Sequence, residues 1–190
     1  MLPNLKEDKL DPRVKRTRGL ILGAFESLIA EKGFESISVQ DVTDKAQIRA
    51  TFYAHFPDKY ALLDYSISQK FMQEIEKRTL NACHYTHDNL RNLILAVCEF
   101  LSQLHTNCGQ PHEQFESLVE GTIKKQIFDL LTHWLKQTKT KISTEIPATV
   151  ATWAIYGLAS LYSHSKKHPA LDKFVDDALP LVAVNLEQFT

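Results

Sequence analysis

Apolar residues recur at spacings of three and four along the first ordered stretch of the chain, at Val14, Ile21, Ala24, Phe25, Leu28 and Ile29. That period lines one face of an α-helix. Asp11 stands ready as a cap, Pro12 suits the first helical position, and Gly33 supplies a stop, so a first helix is predicted between Asp11 and Gly33. Residues 1–10 mix Pro, Asn, Lys and Asp without any period and read as a flexible arm. Phe34 and Ile37 form an apolar bridge, after which Ser38 and Asp41 have the spacing of a capping box with Asp in place of the usual Glu. This predicts a second helix reaching about Lys45, with Val39, Val42 and Ala46 inward. Ile48, Phe52 and Phe56 stand at i, i+4 and i+8 and predict a third, short helix. Pro57 and Asp58 break it and start a fourth, in which Ala61, Leu62, Tyr65, Ile67, Phe71 and Ile75 carry the pattern to about Leu80.

The helical period continues to the C-terminus. Leu90, Leu93, Ile94, Val97, Leu101 and Leu104 predict an amphipathic helix ended by Gly109 and Pro111. Ile123, Ile127, Leu130, Leu131, Trp134 and Leu135 predict another from about Glu113 to Thr138, with an interruption allowed near Gly121. A lysine-rich turn follows, and Pro147 is expected to open an apolar helix from Ala148 to about Ser165. Phe174, Val175, Ala178, Leu179, Val182 and Leu186 predict a last helix from about Leu171 to Gln188. No alternating strand pattern of useful length and no internal repeat occurs, so the fold class is all-α. Three parts are expected: the arm 1–10, a three-helix unit 11–60, and a larger helical part 61–190.

Composition narrows the partners. The 190 residues are 44% hydrophobic with only 6 Gly, which suits a helical protein that can bury a full core. A net charge of -1 excludes a bulk polycation, yet Arg13, Lys15, Arg16 and Arg18 gather enough local positive charge to meet phosphates, or to form a solvated helix face. Cys83, Cys98 and Cys108 form no CxxC pair and follow no secretory leader, so a cytoplasmic protein with reduced thiols is expected. No run approaches the roughly 18 apolar residues of a membrane span. His84, His87, His105 and His112 lie loosely near Cys83 and Cys108, but HxxH without further ligands at fixed spacing is a weak metal signal; no metal site and no cofactor are expected. Glycine-rich phosphate loops, GxSxG and HExxH are absent, and no enzyme is predicted.

Two short helices at an angle can place one of them in a DNA major groove. Residues 17–63 carry three pieces that together are specific: AEKGF at Ala30–Phe34, SVQDV at Ser38–Val42 and TFYAHFPDK at Thr51–Lys59. They closely resemble the N-terminal DNA-binding region of the tetracycline-repressor-like (TetR) transcriptional regulators. The resemblance covers about a quarter of the chain; residues 64–190 match only in length and helical character. It implies an N-terminal helix-turn-helix DNA-binding domain (11–60) and a helical ligand-binding and dimerisation domain (61–190). It further implies a homodimer whose two heads read the halves of a palindromic operator, a small-molecule effector of unknown identity, and most simply a repressor released by that effector.

The residues divide by face. Phe52 and Phe56 are expected in the core. Tyr53 and His55 lie on other faces, where a phenol and an imidazole can donate to phosphate oxygens or simply pack at the surface. The resemblance makes Tyr53, His55 and Lys59 phosphate contacts. Arg49, Ala50 and Thr51 lie near the start of the third helix, where side chains reach base edges; Arg49 can pair with guanine in bidentate fashion or remain a solvated arginine. Gln40 and Thr43 are backbone-contact candidates on the second helix. One feature departs from the pattern: Ala46–Thr51 reads AQIRAT, one residue shorter than the family turn. Gln47 takes the glycine position and must accept a positive φ if the turn is kept, and no cap remains for the third helix. A bundle that regulates through protein contacts, without binding DNA, is the alternative. In the larger part, Phe128, Trp134, Trp153, Tyr156 and Tyr162 offer aromatic surface for an effector pocket or for simple packing. The last two helices are the expected dimer interface, because Pro147–Tyr162 is apolar on more than one face and Ala154, Gly157 and Ala159 permit close approach.

Overall fold

Asp11 does what its position suggested. Its Oδ1 accepts from the Arg13 backbone N–H at 2.7 Å and starts helix α1, Pro12–Lys32, which Gly33 ends at φ 73° with its N–H bonded to the Ile29 carbonyl. A computed structural model describes residues 11–48, 52–78, 84–107, 113–137, 143–165 and 167–187, apart from the side chains of 105–107, 113 and 114. The predicted arm 1–10, the 108–112 turn and the lysine-rich turn at 138–142 lie outside the described residues.

Eight helices occur among the described residues, and no strand. After α1 come α2 (Val39–Lys45), α3 (Phe52–His55), α4 (Lys59–Arg78), α5 (His87–Asn107), α6 (Glu113–Lys136), α7 (Glu145–His164) and α8 (Leu171–Glu187). The all-α expectation holds. Ile21, Ala24, Phe25 and Leu28 of α1 pack with Phe34, Ile37, Val42, Phe52 and Phe56 into a small N-terminal core. Val14 is only half-buried, since the first turns of α1 extend beyond that core. Helix α4 joins the two parts of the chain, packing on α1 at one end and on α5 and α6 along its length.

Helix α5 is amphipathic along its length, as expected, but its middle is buried on every side. Leu93, Ile94, Leu95, Ala96, Val97 and Cys98 are all buried in succession because α4, α7 and α8 surround the middle of the helix. Burial, with Glu99 next to it, pushes the Cys98 thiol up to about 12, so it packs as a small hydrophobe. At its start Arg91 donates to Asp176 at 2.7 Å and Asp172 at 2.9 Å, tying α5 to α8.

Two prolines sit where the pattern did not place them. Helix α7 begins at Glu145, not at Pro147, which occupies the third position; the first backbone bond runs from Ala148 to Thr144, so the missing N–H leaves nothing unmade. Pro180 lies inside α8 and removes the bond to the Asp176 carbonyl. Helix α6 runs unbroken through Gly121, which is exposed and would meet nothing within 4 Å if it carried a Cβ. No helix among the described residues is long and apolar enough to cross a membrane. Because Gly121 carries only an entropic cost, Gly121→Ala should raise the urea-unfolding free energy by about 0.5 to 1 kcal/mol. A lower value would show that this face of α6 has a neighbour in solution.

Candidate nucleic-acid interface

The interface is built on helix α2. Ser38 and Asp41 form the predicted capping box: Ser38 Oγ accepts from the Asp41 N–H at 3.1 Å, and Asp41 Oδ2 accepts from the Ser38 N–H at 2.7 Å. Asp41 also pairs with Lys32 of α1 at 2.9 Å. The Ser38 hydroxyl and N–H, then Lys32, hold its carboxyl well below the ordinary value of 3.8. Lys45 pairs with Glu31, giving α2 a second tie to α1.

At its other end α2 closes in a Schellman motif. The Ile48 N–H donates to the Thr43 carbonyl at 2.9 Å and the Gln47 N–H to the Asp44 carbonyl at 3.2 Å. Gln47 sits at φ 56°, the left-handed conformation expected of it, and among the described residues no other non-glycine has positive φ. The turn therefore keeps the geometry that glycine usually serves, at a cost of about 1 to 2 kcal/mol for an L-residue. Arg49, Ala50 and Thr51, where the chain is a residue short, lie outside the described residues.

Helix α3 has four helical residues, Phe52–His55, and the Phe56 N–H adds a bond to the Phe52 carbonyl at 2.9 Å. So short a helix cannot hold itself. Phe52 and Phe56 are buried with ring centroids 6.0 Å apart, and Phe56 meets Tyr65 of α4 at 5.3 Å. The Arg18 guanidinium lies 5.7 Å from the Phe56 ring and 5.5 Å from that of Tyr65, so α1 holds the end of α3 through a cation–π contact. Tyr53, the next residue round the helix, meets the Phe52 ring edge-on at 5.5 Å and is 72% exposed.

The remaining candidates separate. Gln40 is exposed, with its amide on Asp44 at 2.7 Å; Thr43 donates its hydroxyl to the Gln40 carbonyl at 2.9 Å. His55 is half-buried, and burial, then the neighbouring Arg18, lowers its pKa below the ordinary imidazole value, favouring the neutral ring. Arg13, Lys15 and Arg16 are exposed while Arg18 is turned inward, so the basic cluster is split. Lys59 also turns inward, onto the carbonyls of the α1–α2 connection. Neither the inward Arg18 nor the inward Lys59 had a signal in the sequence beyond an aromatic neighbour in space.

The five aromatic pocket candidates do not share one environment. Trp134 is fully buried in the core, and Tyr162 is buried against Phe174 with centroids 5.0 Å apart. Phe128 and Tyr156 are half-buried. Trp153 is 61% exposed, outside the bundle, because α5, α6 and α8 occupy the other faces of α7; the Lys124 ammonium lies 3.2 Å from its ring centroid. Trp153, one of the pocket candidates, thus lies on an outward face of this protomer. Among the described residues no group of three His, Cys, Asp or Glu can hold a metal ion. His87 instead meets Glu187 at 2.7 Å, while Cys83, Cys108, His112 and the side chain of His105 are outside the described residues.

Residues 21–65 match the family model for bacterial regulatory proteins of the tetR family. That region is of the tetR family. Over 77 residues, 40% of its length, the chain is 39% identical to an uncharacterized HTH-type transcriptional regulator, YxbF, of Bacillus subtilis (strain 168). It spans only 20% of that relative. A TetR-family regulator from Streptomyces coelicolor shares the fold with TM-score 0.65 at 16% identity, over 93% of this chain and 98% of that one. The Thermus thermophilus repressor FadR, in complex with lauroyl-CoA, shares it with TM-score 0.53 at 18% identity, over 89% and 94% of the two chains.

Gln47→Gly should stabilise the protein by up to about 1 kcal/mol, the left-handed cost removed less the entropy glycine brings; Gln47→Val should destabilise it by about 1 to 3 kcal/mol. Equal stabilities in urea titrations would contradict the positive φ. Asp41 has a folded pKa below its unfolded value, so its contribution is complete above pH 3.8 and is lost as pH falls from there through the folded value. Asp41→Asn should therefore flatten the acid limb of the stability–pH curve; an unchanged slope below pH 3.8 would refute the pairing.

Proposed function

We propose that the chain is a homodimeric transcriptional regulator, in which residues 11–60 read one half of a palindromic operator and residues 61–190 pair the subunits and receive a small-molecule effector. Its simplest mode is repression released by the effector, in the cytoplasm where the operator lies, with no enzymatic step. One observation carries the reading: within the tetR-family match, α3 buries Phe52 and Phe56 and leaves Tyr53 72% exposed, its ring edge-on to that of Phe52. A helix held from behind by two aromatics presents its other face as a rigid surface, as major-groove reading requires. Exposed Arg13, Lys15 and Arg16 of α1 supply positive charge that phosphates can meet.

The dimer reading has its own support. Ile146, Val150, Trp153 and Leu161 on α7, with Leu181 and Val184 on α8, are between 44% and 71% exposed. On α7 they follow intervals of three, four and eight residues, with exposed Gly157 between Trp153 and Leu161, so they form one stripe. An apolar stripe of this kind is what a subunit interface leaves on a lone protomer. Two copies joined through α7 and α8 form a four-helix packing. An effector would act by shifting the population between spacings of the two heads. Phe128 and Tyr156 are the candidates best placed to meet it, since Trp134 and Tyr162 are committed to packing and Trp153 faces outward.

Fluorescence-anisotropy titration against duplexes tiled across the DNA flanking the chain's own gene tests the DNA reading. At least one segment should bind about 1000-fold or more tighter than random duplex at physiological salt. Uniform non-specific binding by folded dimer would favour the protein-contact alternative. For the dimer, Trp153→Glu combined with Leu181→Glu should convert the protein to folded monomers in sedimentation velocity at micromolar concentration. Retention of the dimer by that variant would move the interface elsewhere.

A further inference from the structure

Lys59 opens α4, immediately after the Pro57 and Asp58 turn that follows α3. Its ammonium donates to the Ile37 carbonyl at 3.0 Å, the Glu35 carbonyl at 3.2 Å and the Phe34 carbonyl at 3.4 Å, and lies 4.7 Å from the Phe34 ring centroid. An ammonium has three N–H bonds, so these carbonyls engage its whole donor set. They belong to the connection between α1 and α2, where backbone oxygens have no helical partner. Phe34, beneath the charge, is itself packed among Phe25, Tyr60 and Phe115 at 6.2, 5.5 and 5.9 Å. The N-terminus of α4 is also closed, by Asp58 Oδ1 accepting from the Ala61 N–H at 2.8 Å.

We propose that Lys59 is a positioning residue and not a phosphate contact: an internal strut that fixes the α1–α2 connection to the α3–α4 junction and so sets the angle at which α3 presents Tyr53. The effect on DNA rests on the regulator reading above; the strut itself does not. Geometry separates the two roles. A phosphate is met at least as well by a guanidinium as by an ammonium, whereas three convergent carbonyls over a ring form a cradle for a compact point charge that a planar fork does not fit.

Lys59→Met and Lys59→Arg in the full chain decide between them. Both variants should lower the urea midpoint and speed amide exchange at Glu35, Ser36 and Ile37. At 4 °C, with the fold intact by circular dichroism, both should weaken binding to the preferred own-promoter duplex about fivefold or more relative to random duplex, which mere loss of stability would not do. The slope of log affinity against log salt should stay at the wild-type value. A slope reduced by about 0.9 for each head of the dimer, about 1.8 in all, in Lys59→Met, with full recovery in Lys59→Arg and unchanged midpoint and exchange, overturns the proposal in favour of a phosphate contact. Faster exchange without loss of relative affinity also overturns the positioning role. Should the unaltered protein prefer no duplex, the regulator reading fails while midpoint and exchange still decide the strut.

Discussion

A helix of a single turn has no stability of its own. Closing its first hydrogen bonds fixes several backbone angles for little return, so α3 can exist only as part of something larger. Everything about the N-terminal unit follows from that constraint. Phe52 and Phe56 spend their side chains on the core, Tyr65 of α4 and Arg18 of α1 close over Phe56, and the capping box and Schellman bonds hold α2 rigid on the preceding side. The exposed face of α3 is therefore a property of α1, α2 and α4 as much as of α3.

The same constraint explains why cations here have two destinies. Arg13, Lys15 and Arg16 are exposed near the start of α1, where the helix extends past the core. Arg18 comes two residues after Arg16, level with Phe56 and Tyr65, and Lys59 is level with Phe34. A cation beside an aromatic face, and for Lys59 beside carbonyls that lie outside the helices, gains by closing over them. In a chain with net charge -1 the exposed cations of the N-terminal unit include Arg13, Lys15 and Arg16 on α1 and Lys45 on α2. On the proposed regulator reading, recognition would rest on how α3 is aimed as well as on these charges.

Helix period, caps and breakers revealed most of the architecture. Asp11, Gly33, Ser38, Asp41 and Gln47 behave as their local chemistry requires, because capping and positive φ are decided within five or six residues. What stayed illegible depends on neighbours distant in sequence. The middle of α5 is buried all round only because three helices surround it, and Trp153 points outward only because α7 has used its other faces. Pro147 misled by one turn, since a proline is tolerated anywhere in the first turn, whose N–H groups are free in any case. The inward course of Lys59 was hidden for the same reason: its partners lie more than twenty residues earlier.

The junction at Phe34 joins these observations. Its ring touches Phe25 of α1, Tyr60 of α4 and Phe115 near the start of α6, with the Lys59 ammonium above it. Helix α6 in turn bonds α4 through Thr122 to Asp64 at 2.7 Å and through Gln126 to Ser68 at 3.2 Å. A shift of α6 cannot leave α4 in place without breaking these polar bonds, and cannot carry α4 with it without moving the residue that holds the α1–α2 connection. Close-packed cores respond to such strain by changing arrangement as units. Among the described residues α6, α4 and the α1–α2 connection are thus tied in series, so that on the proposed regulator reading a displacement in the large helical part reaches α3 through α4.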